Sequence, residues 1–147
     1  MTDSLVRMIP FRINVGAGTL AVTEFDSELP FTPTRMFWVS DVDEGTTRGN
    51  HAHRECHQLI IAVAGSFKVS TERGEKHEFV LNDAVNGYPS PSLYCPPLTW
   101  LTIHDISPGS VILVLASHPY DVSDYIDDRE EWARLLAESK TVQHHPV

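Results

Sequence analysis

Cysteine is scarce in this chain: two, Cys56 and Cys95, in 147 residues. They stand far apart and form no Cys-x-x-Cys pair, which argues against a thiolate zinc site and leaves buried free thiols as the expectation. Positive charge is scarce as well. Eleven Lys and Arg face 20 Asp and Glu, a formal net charge of -9. That balance argues against non-specific binding to nucleic acid or to an anionic membrane surface. It leaves room for one small anion, because a few convergent arginines create a local positive field. No apolar run approaches the roughly 20 residues that span a bilayer. The opening "MTDSLVRMIPF" carries an early acidic residue and no apolar stretch of a secretory leader, so a cytoplasmic protein is expected. There is no internal repeat, low-complexity tract or linker, and residues 1–147 read as one domain.

Turn-forming residues, by contrast, are plentiful. Ten prolines and eight glycines punctuate the chain at short intervals. Between them lie β-type runs: "LAVTEF", "TRMFWVSDV", "HQLIIAVAGSFKVST", "KHEFVL", "SLYCPPLTWLTIH" and "SVILVLAS". Many short strands at such spacing predict an all-β sandwich or barrel. "AGS" at Ala64–Ser66 breaks the longest run into two strands, and "ERGEK" at Glu72–Lys76 reads as a hairpin turn. Only the tail reads as helix, over about 127–139. There Trp132, Leu135 and Leu136 share a face, Asp127 and Asp128 lie at the start, and Lys140 lies at the end. The last seven residues, "TVQHHPV", read as a frayed end with His144 and His145 solvated.

The chemistry concentrates in "RGNHAHRECHQLIIAVAGSFKV", Arg48 to Val69. On a strand, His51 and His53 point to one side and their Cα atoms lie about 6.6 Å apart. His57 joins them if the strand runs on unbroken; a bulge reverses it. Three readings compete: metal ligands, proton-transfer groups, or strand histidines with satisfied hydrogen bonds. Imidazole titrates near neutrality, so a pair of them can remove and return a proton at cellular pH.

The spacing is similar to the first motif of the cupin superfamily: a glycine, five residues, His-x-His, a glutamate, six residues, a glycine. With the three or four residues that separate His-x-His from the glutamate counted in, Gly45, His51, His53 and Gly65 fall in place, but Gln58 stands where the glutamate would be. In the second motif, matched by "PPLTWLT", Leu101 stands where a histidine would be. Two of four ligands are gone, and a neutral amide replaces a carboxylate poorly at a hard divalent ion. His57 or His104 could substitute, yet the proton-transfer reading fits the residues better.

The resemblance then narrows. The segment Arg48–Val69 resembles the signature of the WxcM-like cupins, which include nucleotide-sugar 3,4-ketoisomerases. "GAGTLAVTEFDSELPFTPTRMFWVSDV", "LYCPPLTWLTIHDIS" and "VILVLASHPYDVSDYI" resemble their N-terminal strands, second signature and closing strand with its tail. The match covers most of residues 12–132. It implies a cupin jelly roll, a double-stranded β-helix of about 12–126, with the short C-terminal helix appended. It implies a homodimer that exchanges an N-terminal strand. It implies an isomerase, free of metal and cofactor, that converts a dTDP-4-keto-6-deoxyhexose to its 3-keto isomer through an enediol. By motif, His51 and His53 carry the acid–base roles and Arg48 supports them from the pocket mouth. Arg35 and Arg54 are candidates for the diphosphate, since guanidinium matches phosphate oxygens. Trp100, Gln58 and Tyr120 complete the substrate-binding set. Asp121, Asp124, Tyr125 and Ile126 match the tail motif as mostly structural residues, with an acidic or phenolic contact to base or sugar open.

Two departures bear on specificity. Family members commonly carry a tyrosine in the strand before the histidines, where this chain has Met36, Phe37, Trp38 and Val39. An arginine usually precedes the early glycine step, where this chain has Ala17 before Gly18. The rival functions are a nucleotide-sugar binder without turnover, a metal-dependent cupin enzyme, and a sugar-nucleotide 3,5-epimerase.

Overall fold

The computed structural model describes residues 5–84 and 87–143, the last two by backbone alone. Two five-stranded antiparallel sheets face each other. The first runs β1 (Arg7–Ile9), β9 (Ser92–Cys95), β6 (Gln58–Ala64), β11 (Val111–Ala116), β4 (Arg35–Val39). The second runs β12 (Tyr125–Ile126), β5 (Arg48–His53), β10 (Trp100–His104), β7 (Ser66–Arg73), β8 (Glu75–Asn82). Neighbours far apart in sequence pair in both, as in the jelly roll that the family resemblance implies. The sheet core starts at Arg7, earlier than residue 12, because Arg7–Ile9 pairs with Ser92–Tyr94.

Period-two alternation builds the interior. Ile60 and Ala62, Leu101 and Ile103, and Ile112 and Val114 point inward and meet Phe67, Val69, Leu81 and Leu93. Gly65 turns β6 into β7 with φ +76°, and Gly74 closes the Glu72–Lys76 hairpin with φ +85°. Both are left-handed conformations that suit glycine. Cys56 and Cys95 are free and buried, as expected.

The helix α1 spans Arg129–Gln143, starting and ending later than the pattern indicates. Asp128 is its cap: the Oδ1 accepts from the Glu130 amide at 3.0 Å, so the two aspartates precede the first turn. Thr141–Gln143 continue the helix and are not frayed; His144 and His145 lie outside the described residues. Trp132 and Leu136 pack on Ala52 and Ile126, with Leu135 beside them, and this fixes the helix behind the outer face of β5. No helix among the described residues is long and apolar enough to cross a membrane.

One element stands apart. β2 (Arg12–Gly16) and β3 (Gly18–Val22) form a hairpin that joins neither large sheet. Its Val15 and Leu20 are each 59% exposed.

Candidate active site

The site begins with a bulge. Leu101 of β10 pairs with His51, but its neighbour Thr102 pairs with Gly49, so Asn50 is the extra residue of β5. Gly49 and Asn50 take φ +85° and +62°, and a Cβ on Gly49 would stand 2.9 Å from the Leu101 carbonyl oxygen. The extra residue turns Arg48 to the same side as His51, where plain alternation would oppose them.

That side is a cavity of about 210 Å³ at one end of the sandwich interior. Its apolar wall is Phe37, Val39, Ile60, Leu101, Ile103, Ile112 and Val114. Its polar groups are Arg48, His51, Gln58 and Tyr125. A larger recess of about 440 Å³ lies on the outer face of β7, β8 and β10. It is a shallow surface in which carboxylates and cations alternate, and its one imidazole, His77, is paired with Glu75. The smaller, more enclosed cavity carries the convergent bases.

His51 and His53 share one face of β5, with ring centroids 5.0 Å apart and nearly perpendicular planes. Tyr125, opposite His53 in the β12–β5 register, packs its ring 4.9 Å from His51 and 4.5 Å from His53. His51 Nδ1 lies 3.0 Å from the Gly49 carbonyl oxygen. A carbonyl only accepts, so Nδ1 carries the proton and Nε2 keeps its lone pair. His53 Nδ1 lies 2.9 Å from Asp124 Oδ2 and donates to it in the same way. The buried Nε2 of His53 has no hydrogen-bond partner among the described residues. Burial lowers the pKa of His51, against the Gly49 carbonyl and Asp127, which raise it; Arg48 lowers it further. Burial also lowers the pKa of His53, against its bond to Asp124, with His51 and Arg35 adding to the lowering. Both rings are thus held neutral, and the His53–Asp124 contact is a hydrogen bond from neutral imidazole to carboxylate.

The expected residues divide into two groups. Arg48 is exposed at the cavity mouth. Arg35 donates through Nε to the His118 carbonyl at 3.1 Å, and its guanidinium lies over Phe37 and Tyr120. Tyr120 is exposed, with its ring 5.8 Å from Tyr125. Arg48 and Gln58 line the cavity, while Arg35 and Tyr120 lie behind its lining residues Phe37 and Tyr125. Trp100 and Arg54 are not among the residues that line this cavity; Trp100 lines the outer recess instead. Trp100 stands next to inward Leu101 and therefore faces outward, against Trp132 and the Arg129 guanidinium. Arg54 follows inward His53 and turns to the helix, where Nη2 pairs with Glu131 at 2.6 Å and Nε donates to the Ser123 carbonyl. His57 lies off the site, its Nδ1 2.7 Å from the Tyr94 hydroxyl and its ring stacked on Phe31. His104 bonds Ser70 on the outer face.

The tail contributes more than its motif indicates. Asp124 holds His53, and Tyr125 brings a phenol to the cavity although the strand before the histidines has none. The spacing of "DYI" carries no sign that it would pair with "HAH" across about 70 residues. The cupin metal position does not fit this donor set: beside the two imidazoles it would meet the amide of Gln58 and the hydrocarbon of Leu101, both lining the cavity.

The chain is similar to known proteins in sequence and in fold. A relative from Aneurinibacillus thermoaerophilus, TDP-4-oxo-6-deoxy-alpha-D-glucose-3,4-oxoisomerase, is 30% identical over 82% of this chain and 84% of its own. The solved structure of a mutant of the 3,4-ketoisomerase QdtA from Thermoanaerobacterium thermosaccharolyticum, in complex with TDP-4-keto-6-deoxyglucose, is 34% identical. It superimposes with a TM-score of 0.79 over 92% of this chain and 94% of that one. A 3,4-ketoisomerase from Helicobacter canadensis is 28% identical, with a TM-score of 0.80 over 90% and 97% of the two chains. The model of the family described as FdtA: WxcM-like, C-terminal, matches residues 4–137, and this chain belongs to that family.

Proposed function

We propose that the protein is a sugar 3,4-ketoisomerase acting on a TDP-4-keto-6-deoxyhexose, in the formation of a deoxysugar. The observation that carries the reading is the pair of imidazoles, with ring centroids 5.0 Å apart, of which His51 lines a largely apolar cavity. The C4 carbonyl acidifies the proton on C3. His51 lines the cavity and keeps Nε2 free, so it takes that proton and leaves an enediolate. The protonated ring then returns the proton to C4, while His53 passes the O3 hydroxyl proton to O4. The carbonyl has moved from C4 to C3, and every proton is accounted for. Each group so placed contributes ~10²–10⁴ in rate.

Size supports placing only the sugar inside. A cavity of about 210 Å³ is smaller than the roughly 300–1,000 Å³ of sites that enclose a whole drug-sized ligand. The diphosphate then lies at the mouth, beside Arg48 and Arg35. We place the enzyme in the cytoplasm as a homodimer. The unattached hairpin β2–β3 and the apolar outer face of the first sheet, where Trp38 is 62% exposed, support that assembly.

The test is turnover of TDP-4-keto-6-deoxyglucose followed by NMR in deuterated water. Formation of the 3-keto sugar by the wild type, lost in His51→Asn, supports the proposal. Ligand-dependent thermal stabilisation without product would favour a binding protein, and deuterium at C5 a 3,5-epimerase.

A further inference from the structure

His53 has a second side. A ring nitrogen of His53, the Cys56 thiol sulfur and a carboxylate oxygen of Asp124 all lie within 4.8 Å of one another, and of the two ring nitrogens Nδ1 is the one 2.9 Å from Asp124. The three donors come from the end of β5, the turn that follows it, and the 3-10 turn Val122–Asp124 before β12. His53 and Cys56 are buried, and Asp124 is partly exposed beside them. We propose that this cluster is an inhibitory site for a borderline-soft divalent cation such as zinc, which on binding disarms His53.

The donor set is one zinc prefers: an imidazole nitrogen, a thiolate and a carboxylate, with water in the fourth position. With bonds of ~2.0–2.3 Å, tetrahedral donors stand about 3.3–3.7 Å apart, so the widest spacing closes by up to about 1 Å while the 2.9 Å pair of Nδ1 and Oδ2 opens slightly. Arg54–His57 lies outside the strand ladders, but its amides bond to Asp124 and Ser117, so the adjustment falls to the side chains. The site differs from the cupin metal position, which would need the inward face with Gln58 and Leu101.

Its consequence follows from the proton count. The cation takes the Nδ1 lone pair and displaces the hydrogen bond to Asp124. The neutral ring keeps its single proton, now on Nε2. Cys56 releases its thiol proton to solvent as the sulfur coordinates. The nitrogen that was free to accept a proton from substrate has become a donor, and the carboxylate no longer orients the ring. For its effect on turnover this inference rests on the proton-transfer role proposed for His53; cation binding itself does not. The other thiol does not compete, because Cys95 sits in the core and burial pushes its pKa up to about 12.

The experiment titrates chelator-treated protein with Co²⁺ and reads the thiolate-to-cobalt charge-transfer band, then displaces the cobalt with Zn²⁺. One equivalent giving that band is expected in the wild type. Cys56→Ser and Cys56→Ala are expected to lose it, to bind Zn²⁺ at least tenfold more weakly, and to keep turning over at zinc concentrations that lower wild-type kcat with KM little changed. No charge-transfer band in the wild type, or the same band in a folded Cys56 variant, would overturn the proposal. An inactive metal-free protein that still shows the Cys56-dependent band would instead overturn the isomerase reading and leave the cation site standing.

Discussion

Asp124 holds His53 from behind: one carboxylate oxygen accepts from Nδ1 at 2.9 Å while the other accepts from the Glu55 amide at 2.8 Å. The second bond fixes the carboxylate, and the fixed carboxylate selects the tautomer that leaves Nε2 free. Asp124 is therefore a positioning residue. In Asp124→Asn the amide nitrogen can turn toward Nδ1 and favour the opposite tautomer. We expect kcat to fall, by less than the ~10²–10⁴ that removal of an acid–base group costs, with KM nearly unchanged. Steady-state kinetics checks the split; a rise in KM alone would mean that Asp124 contacts substrate instead.

The neutral imidazoles set a pH dependence. Burial, the first cause in each case, puts the folded-state pKa of His51 and of His53 below the ordinary 6.5. Above 6.5 both rings are neutral in folded and unfolded chains, and their contribution to stability is constant. As pH falls through 6.5 the unfolded chain takes up protons first, so stability declines until the folded-state values are reached. The urea midpoint should drop over that window, and less so in a His51→Asn, His53→Asn double variant. The acid limb of kcat/KM should lie below pH 6.5, since the free base survives there.

The left-handed turn at Gly49 shapes the mouth, and only glycine takes it without strain. With φ +85° and the Leu101 carbonyl oxygen 2.9 Å from an added Cβ, Gly49→Ala forces either a left-handed alanine or a shift of β10. A conformation of that kind costs about 1–3 kcal/mol. Thermal denaturation should show the loss, and turnover should fall with it because Arg48 and His51 flank the bulge.

How much of this was legible depends on the physics that carries each residue. Alternation alone brings His51 and His53 together, as the spacing indicates. The same rule, applied one residue further, turns Trp100 and Arg54 away from the histidine cavity: if Leu101 and His53 face inward, their immediate neighbours face out, Trp100 to the outer recess and Arg54 to the helix. Arg48 joins the site only through the bulge, whose one local sign is Gly49 followed by Asn50. Asp124 and Tyr125 reach the imidazoles by long-range strand pairing, which no local pattern encodes. The all-β sandwich was readable because turn residues and apolar alternation recur along the whole chain, and the jelly-roll topology came from the family resemblance.

The hairpin β2–β3 predicts the assembly. Two strands alone are marginal in water, and this pair leaves Ile13, Val15 and Leu20 exposed. Met36, Trp38 and Val63 form a second exposed apolar set on the first sheet, and β4 is an unpaired edge that can accept a strand. A second copy supplying its hairpin would cover both. Light scattering should give twice the 16.5 kDa chain mass. Val15→Glu with Leu20→Glu should shift it to the monomer; a wild type that scatters as a monomer would rule out the exchange.

Arg48 and Trp100 should separate binding from packing. Arg48 is exposed at the mouth and supports no core contact, so Arg48→Ala should leave the melting temperature within experimental error and raise KM for the TDP-sugar. A guanidinium–phosphate contact is charge-assisted, and a hydrogen bond to a charged group is worth about 1.5–3 kcal/mol, so the rise should exceed about tenfold. Trp100 lies across β10 from the cavity, between Trp132 and Arg129, and ties the helix to the outer sheet. Trp100→Ala should lower stability, by up to about 3 kcal/mol for a large side chain that is only partly buried. Its kcat/KM, measured well below the melting temperature, should stay near the wild-type value. The reverse pattern, with Trp100 controlling KM and Arg48 controlling stability, would mean that substrate lies on the outer recess and not among the histidines.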